Sequence, residues 1–373
     1  MQLETKANKF SLRWSPANLF LWLSLLGIIT NVFMLKSSVD PAAKFGIIGV
    51  TIVLIFLWSL FFFGDRNIRY TLIIPGFIIL FCVTSVPAVF LLYLSVFNVS
   101  LLNFKGDWSF VGFTNYMYFF TKDKLFYAAI VRTVEYMVIV LALQIVIGMC
   151  LALLLQREFR GRSFVSSILV IPVMTCPIVI AMLWKYMYSS YNGFINLVLK
   201  DLGFSEVPWL TNQPLPYVSN IPIVGDFLIT HLNANIGFVS AIIVNIWQWT
   251  PFVYLMFLAG LSALPREPYE AAKVDGANSW KTFWHITFPM LRPVIGVVFL
   301  IRIIDLMKVY DQIWALFGDS VTMRTLNIHI FSVGLTGQDY SKGAALSIIV
   351  LVFIIIVSLV FSGIGKWISR RGA

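Results

Sequence analysis

The chain has 373 residues, 59% of them hydrophobic and 12% charged, with a mean hydropathy of +0.87. Only lipid solvates that much apolar surface, so an ordinary water-soluble domain is excluded. The formal net charge is +10, but the basic residues gather just beyond the ends of apolar runs, which points to membrane topology rather than to nucleic acid.

A bilayer core about 30 Å thick takes roughly 20 apolar helical residues to cross. Runs of that order predict an all-α membrane protein with eight transmembrane helices, over 18–35, 43–63, 71–96, 129–155, 164–188, 236–262, 293–317 and 341–365. The runs are continuous rather than alternating, which argues against a β-barrel. Lys6, Lys9 and Arg13 precede the first run, and no clear small-residue cleavage site follows, so the segment is expected to be retained. Pro75, Pro87, Pro172, Pro177 and Pro251 fall inside predicted spans, where neighbouring helices re-satisfy the freed carbonyls.

Lys and Arg set the orientation. With the N-terminus inside, the inside segments hold Arg66 and Arg69, then Arg157, Arg160 and Arg162, then Arg266, Lys273, Lys281 and Arg292, and finally Lys366, Arg370 and Arg371. Both termini are therefore expected in the cytoplasm. The outside segments near 97–128 and 189–235 are long enough to form caps, and PWLTNQPLPYVSNIP in the second reads as ordered loop. Cys82, Cys150 and Cys176 lie inside apolar runs without metal-ligand spacing, and read as small core residues.

The chain lacks a phosphate-binding G-x-x-x-x-G-K-[ST] loop, a nucleophile elbow and a paired-carboxylate constellation. His231, His285 and His329 are scattered. A self-contained enzyme is not expected, and no metal or cofactor site is assigned to the chain. The charges that demand explanation are Arg302, Asp305 and Lys308, within or near one span. Arg302 and Asp305 are three apart and can pair along one helix face. Such a pair either fixes the span internally or marks a solute pathway, while Lys308 can snorkel to the outer interface.

Between the spans at 236–262 and 293–317 runs the polar stretch EAAKVDGANSWKTFWHITFPMLRP. Pro268 suits a first helical turn, and Glu267 and Glu270 suit the positive end of the dipole. The helix Tyr269–Asp275 is expected to stop at Gly276 in a left-handed conformation. Asn278 or Ser279 can cap a second helix, which presents Trp280, Phe283, Trp284 and Thr287 on one face and ends at Pro289. An aromatic patch of this kind either lies on lipid headgroups or docks a partner.

Glu270-Ala271-Ala272, three residues, Gly276, nine residues, Ile286, one residue, Phe288 and Pro289 resembles the EAA loop of the membrane subunits of binding-protein-dependent ABC importers, with Phe288 where that pattern usually has Leu. FVGFTNYMYFF, FRGRSFVSSILVIPVMTCPIVIAMLWKYMY, IWQWTPFVYLMFLAGLSALPREPYEAAKVDGA and IDLMKVYDQIWAL resemble further parts of sugar-importer permeases, so the likeness covers about 71–365. The subgroup is that of carbohydrate uptake, near the larger maltose-importer and first glycerol-phosphate-importer permeases.

The resemblance implies a six-helix type I importer core over 71–373, preceded by a two-helix extension over 1–70. It implies alternating access in a complex with a second permease, two copies of an ATPase that bind ATP and Mg, and an external substrate-binding protein. The loop near 263–289 docks on an ATPase through Glu270, Ala271, Ala272, Asp275, Gly276, Trp280 and Phe283. Substrate contacts fall on two spans, in register with Asn245, Trp249 and Phe252 and with Arg302, Leu306 and Val309, beside Asp305. Both stripes keep the i, i+4, i+7 spacing of one helix face. Asn245, Trp247, Gln248, Trp249, Thr250, Phe252 and Tyr254 suit a sugar, which needs aromatic surfaces and amide or hydroxyl partners. The opposing reading makes the tryptophans packing or lipid-belt residues, and Arg302 in a cavity hints at an acidic or phosphorylated solute. The remaining rivals are an ion-coupled secondary transporter and a membrane receptor or scaffold.

Overall fold

The protein is described here by a computed structural model covering residues 68–106, 108–214 and 235–371. Two compact units, Met1–Phe90 and Leu91–Ala373, divide the chain. The expected spans 18–35 and 43–63 lie outside the described residues. Helix α1 (Ile68–Ser95) takes up the third expected span.

In the second unit, β1 (Phe97–Asn98) pairs antiparallel with β2 (Ser109–Phe110), Phe97 opposite Phe110. This ribbon and the short helix α2 (Thr114–Thr121) occupy the segment expected as a cap. Helix α3 (Lys124–Gln156) starts at Asp123, whose carboxylate accepts the backbone N–H groups of Leu125 and Phe126. Helix α7 (Ile236–Ser262) is likewise capped by Asn235, which accepts from the Phe238 N–H. Among the described residues, α3, α7 and the Tyr340–Gly363 part of helix α13 (Tyr340–Arg371) are long and apolar enough to cross a membrane.

Helices α3 and α7 pack closely at Gly148, where a Cβ would stand 2.7 Å from a Val253 methyl. The central core gathers Tyr136 and Val140 of α3, Phe238 and Val244 of α7 and, further along, Ile303 and Leu306. A second apolar cluster at the Met149 and Phe257 ends of the same helices includes Leu291 and Val298. A third joins Phe119 and Phe126 to Leu326 and Leu346.

Two expected spans are broken. The run 164–188 folds as α4 (Arg162–Val170), a 3-10 turn (Ile171–Met174) and α5 (Pro177–Met187), with a bend of 101° at the break. Pro177 drives Cys176 into an extended conformation (ψ 133), so the helix cannot run through. Pro251, by contrast, is absorbed inside the continuous α7. The run 293–317 becomes α10 (Phe288–Met307) and α11 (Asp311–Phe317). Between them the Lys308 and Val309 carbonyls accept side-chain bonds from Asn327 at 2.6 Å and Thr325 at 3.2 Å, satisfying backbone that a continuous helix would pair internally.

Smaller departures follow the same logic. The segment 189–235, expected to form a cap, contains α6 (Phe194–Asp201) ahead of the stretch expected as loop, and its residues 215–234 lie outside the described set. Cys150 and Cys176 are free and exposed rather than core residues, because each sits on a helix face or break turned away from the bundle. After α11, α12 (Leu326–Phe331) and a π-helical turn (Ser332–Thr336) lead into α13.

Candidate functional site

The polar stretch folds as two short helices at a sharp turn. Helix α8 (Glu267–Val274) begins two residues earlier than expected, with Pro268 in its first turn and Asp275 as its C-cap. Gly276 follows at φ +73, the left-handed conformation that side chains disfavour. The Ala277 N–H closes back on the Ala272 carbonyl at 2.9 Å. Asn278 caps α9 (Ser279–Thr282) by accepting the Lys281 N–H at 2.8 Å. The Tyr269 hydroxyl donates to Thr287 Oγ1 at 3.1 Å and ties the two arms together.

Glu270, Ala271, Asp275, Gly276 and Trp280 are exposed on this loop, whereas Ala272 is buried. The expected aromatic face divides. Trp280 and Trp284 remain exposed and meet edge to face at 5.7 Å. Phe283 is half-buried against the core of α3, α7 and α10, and Thr287 is buried. The reason is a π-helical turn over Phe283–Thr287, which rotates those residues inward. That turn runs straight into α10, so Pro289 opens the next helix instead of ending this one.

The second constellation lies where α3, α7, α10, α11 and the break after Met174 converge. Arg302 is 1% exposed, yet three of its nitrogens are bonded. Nε donates to Gln144 Oε1 at 3.0 Å, Nη2 to Asn245 Oδ1 at 3.2 Å, and Nη1 approaches Asp305 Oδ2 at 3.4 Å. Its guanidinium stands 5.0 Å from the centroid of the Trp249 ring, a favourable placement for a buried cation.

The network continues sideways. Gln144 Nε2 donates to Asn245 Oδ1 at 3.0 Å, and Asn245 Nδ2 donates to Gln312 Oε1 at 2.5 Å. Gln312 then donates to Gln248 Oε1, and Gln248 donates to the Thr175 carbonyl at 2.9 Å. Both helix breaks thus serve the network: one frees the Thr175 carbonyl, and the other turns Gln312 inward. Buried amides are costly unless bonded, so each segment is held in place by the others.

A cavity of about 190 Å³ opens beside this network. Of the expected pathway residues, Asn245, Trp249, Arg302, Asp305, Leu306 and Val309 line it. Phe252 does not; it packs with Val253 and Phe257 in the apolar cluster toward the loop. Sequence reasoning passed over Gln144 and Gln312. A glutamine inside an apolar run was the available signal, since an amide there needs a partner. The pairing reading for Arg302 and Asp305 is realised, and the same residues line the cavity.

Residues 144–372 match the family described as the inner membrane component of binding-protein-dependent transport systems. The chain belongs to that family. A probable ABC transporter permease of Sinorhizobium fredii is 33% identical over 299 residues, covering 79% of this chain and 89% of that protein. The trehalose/maltose transport system permease of Thermococcus litoralis is 29% identical, covering 82% and 96%, and the arabinooligosaccharides transport system permease of Bacillus subtilis is 30% identical, covering 81% and 90%. In fold, a chain of a bacterial alginate ABC transporter crystallised with its periplasmic protein superposes with a TM-score of 0.68 at 22% identity, over 84% of this chain and 99% of that one. Such a permease is a multi-pass inner-membrane translocation subunit, and membership favours that class over the ion-coupled carrier and the receptor.

Proposed function

We propose that this chain is one of two permeases in an ATP-driven importer that carries a sugar, oligosaccharide or sugar-like solute into the cytoplasm by alternating access. The observation that carries the reading is the central cavity, where an exposed part of Trp249 stands beside charged and amide groups. Aromatic surface combined with polar partners is what sugar recognition requires. Relatives named for trehalose/maltose and for arabinooligosaccharides support the same solute class.

In this proposal the loop carrying Glu270, Gly276 and Trp280 docks on one of two ATPase copies. ATP and Mg bind there, so this chain contributes no hydrolytic group. Glu270 pairs with a basic residue of the ATPase, and an external binding protein delivers the solute. The helices before residue 71 form a two-span extension to a six-span core, giving eight spans with both termini cytoplasmic. Closure of the ATPases draws the loops together and opens the cavity outward. A rigid docked helix transmits that motion because it makes different contacts in the two states.

Reconstitution tests the reading. Proteoliposomes holding the complete complex should accumulate sugar only when ATP inside and binding protein outside are both supplied. Accumulation driven by an ion gradient without ATP would overturn it.

A further inference from the structure

We infer that the cavity selects neutral polyhydroxylated solutes over carboxylated ones, with Asp305 as the group that accepts hydrogen bonds from their hydroxyls. The inference rests on the assignment of this cavity as the solute site. It follows from an inventory of which polar atoms the fold has already used.

Arg302 looks at first like an anion receptor, but its nitrogens point at Gln144, Asn245 and Asp305, and its side chain is sealed from solvent. Asn245 is similarly committed: its oxygen accepts from both Gln144 and Arg302, and its amide nitrogen donates to Gln312. The carboxylate of Asp305 differs. One oxygen faces Arg302, while the side chain as a whole is 43% exposed and lines the cavity. It is therefore held in a fixed orientation with accepting capacity to spare.

The charges that line the cavity balance. Arg302 and Lys308 are cationic, and Asp305 and Asp311 are anionic. A neutral sugar placed on Trp249 adds hydroxyl donors that carboxylates accept. A uronate adds a negative charge that faces two carboxylates and only one uncommitted cation, Lys308, on the exposed rim. Desolvating a carboxylate without a partner is costly, whereas a hydroxyl bonded to a carboxylate forms a charge-assisted bond.

The test is equilibrium binding of two radiolabelled probes, maltotriose and trigalacturonate, to the assembled complex in nanodiscs without binding protein. The parent complex should bind maltotriose at least about tenfold more tightly than trigalacturonate, the scale of one bond to a charged group. Asp305→Asn should weaken maltotriose about tenfold and narrow or reverse the preference, because its amide accepts less well and repels less. Arg302 keeps its Gln144, Asn245 and Trp249 contacts in that variant, and an unchanged melting temperature would verify that the fold persists. Asp305→Glu should keep the preference.

Equal affinity for the two probes in the parent complex, or an Asp305→Asn complex with unaltered preference, would overturn the inference. Trp249→Ala separates this failure from that of the underlying assignment. If Trp249→Ala loses both probes while Asp305→Asn changes nothing, the site stands and its selectivity does not. If Trp249→Ala binds both probes normally, the site itself is misplaced.

Discussion

The loop at Glu267–Thr287 and the polar centre around Arg302 are two places where this greasy chain keeps charge, and they are built in opposite ways. In the loop, the contacts that set the turn are local: Asn278 caps Lys281, Ala277 closes on Ala272, and Tyr269 reaches only as far as Thr287. In the centre, Arg302 binds Gln144 and Asn245, residues distant in the chain, and Gln312 binds Asn245 and Gln248. The loop turns its charged side chains outward, whereas the centre satisfies Arg302 internally. A locally folded element can be pushed as a unit without losing its shape. A network assembled from separate segments instead registers any relative movement among them, since its bonds connect the parts that must slide.

The largest expected effect comes from breaking the centre. Arg302→Met leaves the Gln144 oxygen without its donor and Asn245 with one donor of two, and should cost about 3 kcal/mol or more of stability. A lowered melting temperature of the complex measures it. Arg302→Lys should rescue little, since a single ammonium cannot reproduce the planar fork that serves three partners. A variant with unchanged melting temperature would remove the distinction between the two regions.

The loop should respond in function and not in folding. Gly276→Val forces a β-branched side chain into φ +73, although open space surrounds the position. Glu270→Lys reverses an exposed charge. Both are expected to insert into the membrane normally and to abolish most ATP-dependent uptake. Normal uptake in both would count decisively against ATPase coupling through this loop.

The smallest effect sharpens the boundary between the regions. Phe283→Ala should lower the melting temperature, because the ring is half-buried against Val253 and Phe257 and contributes about 1–2 kcal/mol. Trp280→Ala should leave the melting temperature unchanged and weaken retention of the ATPase, as exposed aromatics carry much of an interface's energy. Equal losses of stability would mean that the loop has no separate docking face.

Periodicity and caps made much of this legible before folding was considered. The span 236–262 coincides with α7, Gly276 adopts the expected left-handed stop, and Asn278 caps the second short helix. The stripes of Asn245 and Trp249 and of Arg302, Leu306 and Val309 do meet at one cavity. These features depend on residues within a turn or two of each other, so their spacing in the chain determines them. Phe252 illustrates the limit: it shares the stripe of Trp249 but packs into the apolar cluster, because helix spacing places a residue on a face without saying what that face meets.

What only the tertiary structure decided is why the helix stops after Met307. No glycine or proline lies between Met307 and Asp311, so nothing local interrupts the run. The break exists because Thr325 and Asn327 arrive from elsewhere to satisfy the Val309 and Lys308 carbonyls, and because Gln312 must turn toward Asn245 and Gln248. The Thr175 carbonyl, freed at the other break, is likewise satisfied by Gln248. The sequence by itself determined that the chain is a membrane protein with a turned polar loop, since hydropathy and capping act within a segment. The site required the assembled bundle, because away from water each buried polar group must find its partner on another segment.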